Sequence, residues 1–230
     1  SKEYISEAIP ESFVFFLPKD VVSGDFYWVG KLENRVIVIA ADCTGHGVPG
    51  ALMSIMGASF MNEILSGRGP WKASRILNLI RERIMKALHQ KGMEDENKDA
   101  IDMALLVFNE ETGVLQYSGA NNPLYHVRKN VLKEIRPDKM PVGINAIEEQ
   151  SFTNHKIQLI SDDMVYIFSD GFPDQFGGIK NKKFKYKAFK ELLTSISNKN
   201  LSEQKNDLAH ILEEWKGSNE QVDDVCISLL

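Results

Sequence analysis

The stretch RVIVIAADCTGHGVPGALMS, Arg35 to Ser54, decides the fold. Its opening RVIVIAA (35–41) is a short apolar run of β-branched residues, the pattern of a strand buried on both faces. Asp42 ends that run. Gly45 and Gly47 break the chain direction, and Pro49 stands where a first helical residue belongs, so a helix is expected from Pro49 to Leu65, ending before Gly67. Leu52, Ile55, Met56, Phe60 and Ile64 mark its expected apolar face.

Outward from this segment the same reasoning assigns the rest. Upstream, Phe13–Leu17 and Phe26–Gly30 read as strands. Downstream, Pro70 to Gln90 carries a second helical stripe (Ile76, Leu79, Ile80, Ile84, Ala87, Leu88), with Gly92 as its stop. From Asp102 the pattern returns to strands: Met103–Phe108, Val114–Ser118, Leu124–Arg128, Val131–Ile135, Lys156–Leu159 and Met164–Ser169. Glu111-Thr-Gly113 and Arg128-Lys-Asn130 are the expected hairpin turns. Asn200 and Glu203 have capping-box spacing ahead of Leu208, Ile211, Leu212 and Trp215, Gly217 closes that helix, and Val222–Leu230 is a last strand. Strand clusters separated by helix pairs, without βαβ alternation, predict an α+β chain of antiparallel sheets with segregated helices. No repeat or linker divides residues 1–230, which read as a single domain.

The composition is that of an ordinary globular chain, with 43% hydrophobic and 26% charged residues among 230. A chain this size buries roughly 70% of its surface without disulfide or metal support. Its net charge of −5 argues against general nucleic-acid binding, which needs a basic surface. Cys43 and Cys226 are too few for a disulfide framework and suit a reducing cytoplasm. No strictly apolar run approaches the ~18 residues that cross a bilayer, and no signal-peptide pattern is visible. The start at Ser1 suggests the C-terminal output domain of a longer protein, whose upstream segments would carry a sensor and any membrane tether.

Four acidic spots share one signature, an Asp at a strand end or its turn, beside Gly or a second acid: Ser23-Gly-Asp25, Asp42 with its glycines, Ser169-Asp170-Gly171 and Val222-Asp223-Asp224. Any one alone reads as a turn, because Asp-Gly pairs form turns readily. Four together, each abutting an apolar run, read as a site. Buried carboxylates repel unless a cation lies between them, and an oxygen-only donor set favours Mg²⁺ or Mn²⁺ over zinc.

At these residues the chain resembles the metal-dependent PPM (type 2C) protein phosphatases, in their SpoIIE-like branch. The resemblance is carried by PKDVVSGDFYW (18–28), ADCTGHGVPGALMS (41–54), SGANNPLY (118–125), KMPVG (139–143), FSDGFPDQFGG (168–178) and QVDDVCISLL (221–230). It implies a four-layer αββα sandwich with a centre for two divalent ions, Mn²⁺ or Mg²⁺, at one edge. It implies that Asp42 bridges both ions, that Asp25, Asp170 and Asp223 complete the catalytic metal set with Asp224 beside them, and that Cys43 contributes only its carbonyl. Ions about 3.5–4 Å apart then present a bridging hydroxide to phosphorus. The implied activity is hydrolysis of phosphoserine or phosphothreonine on a bacterial signalling partner, such as an anti-sigma-factor antagonist. Upstream domains or homodimerisation would act through helices 49–65 and 70–90 as a switch.

Some positions depart from the wider family. Thr44 stands where the eukaryotic branch has a His proposed as general acid, and His46 does not inherit that role. Val21 occupies the region of a phosphate-holding Arg, with Lys19 the nearest cation. Asn121 replaces the His of an AGH motif, and Cys226 replaces a Thr as a core position. Asp99 or Asp102 could reach a third ion. Met53, Met56 and Met61, with Gly50, Gly57 and Ala58, read as core packing. Lys180 to Lys190, six lysines among three aromatics, reads either as a solvated helix approach or as a docking surface for an acidic or phosphorylated partner. His89, His126, His155 and His210 lack ligand spacing. Two other functions compete: a catalytically silent pseudophosphatase that only binds its partner, and a metal-dependent hydrolase of small phosphate compounds.

Overall fold

The computed structural model describes residues 7, 9–45, 47–67, 71–90, 98–145 and 150–230; His46, Pro70 and Gly92, singled out above, lie outside them. Two five-stranded antiparallel sheets face one another. One has the order β2 (Phe26–Leu32), β3 (Arg35–Cys43), β4 (Ile101–Asn109), β5 (Val114–Ala120), β8 (His155–Gln158). The other runs β1 (Phe13–Leu17), β12 (Val225–Leu229), β9 (Met164–Phe168), β6 (Leu124–Arg128), β7 (Val131–Ile135). Helices α1 (Gly47–Leu65) and α2 (Ala73–Ala87) cover the first sheet. The short α3 (Gly171–Asp174) follows β9, then a small hairpin of β10 (Phe176–Gly177) and β11 (Lys182–Lys183). Helices α4 (Lys185–Ile196) and α5 (Leu201–Lys216) cover the second sheet. The layering is the expected αββα sandwich.

Side-chain alternation along the strands fills three layers. On β3, Ile37, Ile39 and Ala41 face α1 and α2, while Val36, Val38 and Ala40 meet the other sheet. That middle layer continues through Ala104, Leu106, Leu115, Tyr117, Val165, Ile167 and Cys226. Phe15, Phe168, Phe189, Leu193, Leu208 and Ile227 build the third layer under α4 and α5. Each sheet is thus buried on both faces, which explains the near-continuous apolar runs.

The structure corrects several details of the sequence reading. Leu52 and Ile55 of α1 are exposed, at 63% and 67%; the buried face is Gly50, Met53, Gly57, Met61 and Ile64. The helix turns its small residues inward because it lies so close to the sheet that a Cβ on Gly57 would come 2.9 Å from the Phe26 ring and 3.0 Å from Ile101 Cδ1. By length and mean hydropathy α1 would suffice to cross a membrane, but here this stripe packs on a sheet. Helix α2 ends at Ala87 rather than at Gln90, where His89 takes a left-handed φ of 53° and its amide donates back to Lys86 O. Asn200 and Glu203 do form the capping box of α5, and Gly217 ends it.

The first turn of α1 is wedged against two loops. A Cβ on Gly50 would lie 2.2 Å from Gly45 O and 2.9 Å from Gly24 Cα. Gly50→Ala is therefore expected to overpack this junction and cost about 1–3 kcal/mol. Urea unfolding measures it, and an unchanged midpoint would show that the contact bears no load.

Candidate metal centre

The two-residue period of the strands carries Asp42, Asp102, Asp25 and Asp224 to one place, and Asp170 and Asp223 reach it from the turns after β9 and before β12. Asp42 follows Val36, Val38 and Ala40 on the inter-sheet face, and Asp102 precedes Ala104 and Leu106 on the same face of β4. The register sets Asp42 directly opposite Asp102. Asp25 stands just before helix-facing Phe26, so it falls on the inter-sheet side, as do Ser169 after Val165 and Ile167, and Asp224 before Cys226. The apolar filling of the middle layer stops at Ala40 and Ala104, and carboxylates replace it. A cavity of about 550 Å³ opens there, lined by Asp42, Asp102, Asp170 and Asp223 and by Cys43.

Asp25 lies behind this lining, only 4% exposed, and its Oδ2 has no hydrogen-bond partner. Burial pushes its carboxyl up to about 8; a hydrogen bond with Ser169 opposes this, and the charges of Asp224, Asp223 and Asp170 add to it. Asp42 is pushed up to about 10, by burial first and then by Asp25, Asp170, Asp223 and Asp102. Asp170 rises to about 6 through burial and the charges of Asp174 and Asp223, against a hydrogen bond with Asp42. Two carboxyl groups hydrogen-bonded to each other must share a proton. Burial also raises Asp102, whose Oδ1 accepts a 2.8 Å bond from Asn121 Nδ2. The cluster thus coheres only with protons or cations among its oxygens.

This donor set fits hard divalent ions: carboxylates crowd one cavity, and one buried oxygen lacks any donor. Cys43 is no soft ligand, because burial and then the charge of Asp42 hold its thiol protonated. Its carbonyl oxygen lies beside Gly24, 3.5 Å from where a Cβ would stand. Among the described residues, no three His, Cys, Asp or Glu side chains form a closed group able to hold an ion by themselves. The acids line a basin rather than a cage.

Asp224 does different work from its neighbour. Its Oδ1 accepts from Lys19 N at 2.7 Å, and its Oδ2 from Gly24 N at 2.8 Å and Asp25 N at 3.4 Å. Asp224 therefore clamps the β1–β2 loop and orients Asp25, while Asp223 lines the cavity. Gly171 is required at this corner, since a Cβ there would fall 1.9 Å from Asp224 O.

Other positions are also settled. The Thr44 hydroxyl exchanges bonds with Ala100, donating to its carbonyl at 3.0 Å and accepting from its amide at 3.1 Å, so it is committed to structure. Val21 is fully exposed. Asn121 adopts a left-handed φ of 56°, which Asn tolerates, and aims its amide at Asp102. Asp102, named above only for a third ion, stands in the cavity wall; it abuts an apolar run as Asp42 does, but no glycine draws attention to it. Lys98 also lines the cavity, and no pattern in its loop announces that.

Comparisons with known proteins agree with this geometry. The family model described as Stage II sporulation protein E (SpoIIE) matches residues 33–230. A search of the curated proteins found no match. Among solved structures, the chain is similar to the SiaA-PP2C domain of Pseudomonas aeruginosa, with 25% identity, a TM-score of 0.89 and coverage of 99% of this chain and 89% of that one. It shares its fold with the SpoIIE phosphatase domain of Bacillus subtilis, solved with a fragment of its regulatory domain, at 17% identity, TM-score 0.74, covering 95% of this chain and 62% of that one. The RsbU and RsbW domains of a Mycobacterium tuberculosis protein give 18% identity and 0.73, covering 95% and 59%.

The acid cluster has a measurable signature without turnover. Folding raises Asp25, Asp42 and Asp170 above the ordinary 3.8, so the folded protein holds protons that the unfolded chain releases. Stability without divalent ions is then highest below about pH 4 as far as these groups contribute, and falls as pH rises toward about 8 to 10. In chelator, the thermal midpoint is expected to drop between about pH 5 and about pH 8. Mn²⁺ should restore more of it at the higher pH, and a midpoint indifferent to Mn²⁺ at pH 8 would contradict the metal assignment.

Proposed function

The chain belongs to the SpoIIE-like branch of the PPM (type 2C) phosphatases, and from that premise we propose that it is a Mn²⁺- or Mg²⁺-dependent hydrolase of phosphoserine or phosphothreonine on a signalling protein. The observation that carries the reading is the convergence of Asp42, Asp170 and Asp223 on one cavity, with the unpartnered oxygen of Asp25 behind it. Asp42, Asp25, Asp170 and Asp223 would hold the ions, with the Cys43 carbonyl beside them. Two divalent ions, when bound, supply Lewis acidity that acidifies a water for attack on phosphorus and neutralises the phosphoryl oxygens.

The chain's own residues do the rest. Asp224 fixes the loop that carries Asp25 by accepting from the Lys19 and Gly24 amides. Asn121 holds the Asp102 carboxylate against the cavity wall. Lys98, a cation on the lining, is placed to attract a phosphate. Both cysteines are buried, consistent with a direct displacement that needs no thiol nucleophile. The partner fits the signalling proteins that similar phosphatases serve, an anti-sigma-factor antagonist among them, with an upstream sensor in a longer chain and a cytoplasmic site of action.

The competing reading is a pseudophosphatase that binds a partner without turnover.

Hydrolysis of an aryl phosphate with Mn²⁺ titrated in, wild type beside Asp42→Asn, tests the first reading. Wild type is expected to turn over in proportion to Mn²⁺ occupancy, and the variant to lose about a thousandfold, ~4 kcal/mol of transition-state stabilisation. The same variant should unfold cooperatively and, without divalent ions, melt higher than wild type near pH 8, because it removes a carboxyl that must take up a proton on folding at that pH. Retained activity would sink the bridging role of Asp42, and absence of Mn²⁺ binding to wild type would select the pseudophosphatase.

A further inference from the structure

We propose that the hairpin and helix start at residues 176–190 form a docking surface for a partner whose phosphorylated residue is flanked by acidic side chains. The proposal rests on the phosphatase reading and adds the local chemistry of its substrate.

Between Ile179 and Lys190 the sequence IKNKKFKYKAFK holds six lysines and no acid, in a chain of net charge −5. The two readings left open above divide by residue. Phe184 and Phe189 pack inward, Phe184 edge-on to Phe172 and Trp215, and Phe189 against Phe168. Lys183 is tied to Asp174 at 2.6 Å and Lys190 to Glu134 at 2.6 Å. Lys180, Lys182, Lys185 and Lys187 are exposed, and none has an ion-pair partner among the described residues.

The surface is built rather than loose. Gly178 N donates to Trp215 O at 2.9 Å, and both Trp215 Nε1 and Phe184 N donate to Gln175 O at 3.0 Å. Trp215 of α5 thereby holds the hairpin from below. At its tip Ile179 is fully exposed, and Phe176 is 39% exposed. An apolar tip inside a lysine field suits a protein partner.

Its location links it to the catalytic basin. Asp174, the anchor of Lys183, ends the helix that begins just after Asp170. Tyr186, exposed at the start of α4, feels the charges of Asp170, Asp174, Asp42 and Asp102, which add to partial desolvation in holding its phenol protonated. Through Lys183 and Asp174 the hairpin is tied to the helix that starts just after cavity-lining Asp170, and from this segment the unpaired lysines attract acids flanking a phosphate seated in the cavity. Lysine is a mobile point charge, so the preference is for acidic character and not for one sequence.

The test is fluorescence anisotropy in Mn²⁺ with two labelled peptides that carry a non-hydrolysable phosphonate analogue of phosphoserine, one flanked by Asp and Glu, the other by Ser and Gln. Wild type should bind the acidic peptide about tenfold more tightly at low salt, and the advantage should shrink as salt rises. Lys180→Glu with Lys182→Glu and Lys187→Glu should erase it; the corresponding Gln triple should weaken it with less risk to the fold. Aryl-phosphate turnover should stay within about twofold of wild type in both triples, since docking lies outside the chemistry. Equal binding of the two peptides by wild type, or an advantage that survives the triples, overturns the proposal. Loss of aryl-phosphate turnover in the triples also overturns it, by placing these lysines in the catalytic fold. Failure of wild type to hydrolyse the aryl phosphate would instead strike the phosphatase reading, and the peptide comparison is read independently of it.

Discussion

Everything at the candidate centre depends on the layer between the two sheets. A strand sends alternate side chains to opposite faces, so a residue's parity decides whether it meets a helix or the other sheet. Along β3 and β4 the inter-sheet positions are apolar up to Ala40 and Ala104, and the next positions of the same parity are Asp42 and Asp102. A one-residue slip in the β3–β4 register would move both carboxylates to the helix side. The centre is thus the end of a packed core, where the same geometry that buries Val38 and Leu106 presents charge.

This placement sets stability against use. Like charges directly across an antiparallel pair are unfavourable, and burial raises that penalty, so the carboxyls of Asp25, Asp42 and Asp170 rise well above the ordinary range. Hydrogen bonds offset part of it: Ser169 on Asp25, Asn121 on Asp102, main-chain amides on Asp224. The remainder is relieved only by a bound cation or a proton. A fold that tolerates such a cluster needs the large apolar layers on either side of it.

Sequence showed the parts of this that depend on local pattern. The strands announced themselves as apolar runs, the α5 capping box as Asn200 with Glu203, and the four acidic spots as acids at the ends of those runs. It did not show what depends on long-range packing. The rotation of α1 followed from how closely Gly50 and Gly57 let it approach, not from its hydrophobicity, which is nearly uniform around the helix. Asp102 stood out only as a third-ion candidate because no glycine flanks it, and Lys98 not at all because loop residues carry no periodicity. The resemblance put Asp223 in the metal set and Asp224 beside it, but the clamp that Asp224 makes on the Lys19 and Gly24 amides has no sequence signal.

The clamp by Asp224 also bears on how the molecule comes to exist. Its carboxylate reaches amides 205 and 200 residues earlier, and β12 completes the sheet by inserting between β1 and β9. Contacts of such span are the slowest to close, because the loop entropy must be overcome before they form. The first sheet can form and α1 can dock on it while Asp25 still lacks its fixed position. A nascent chain therefore has no competent centre until β12 has been synthesised and threaded into its slot. The candidate centre is the last feature this fold completes, and local fraying of β12 would undo it first.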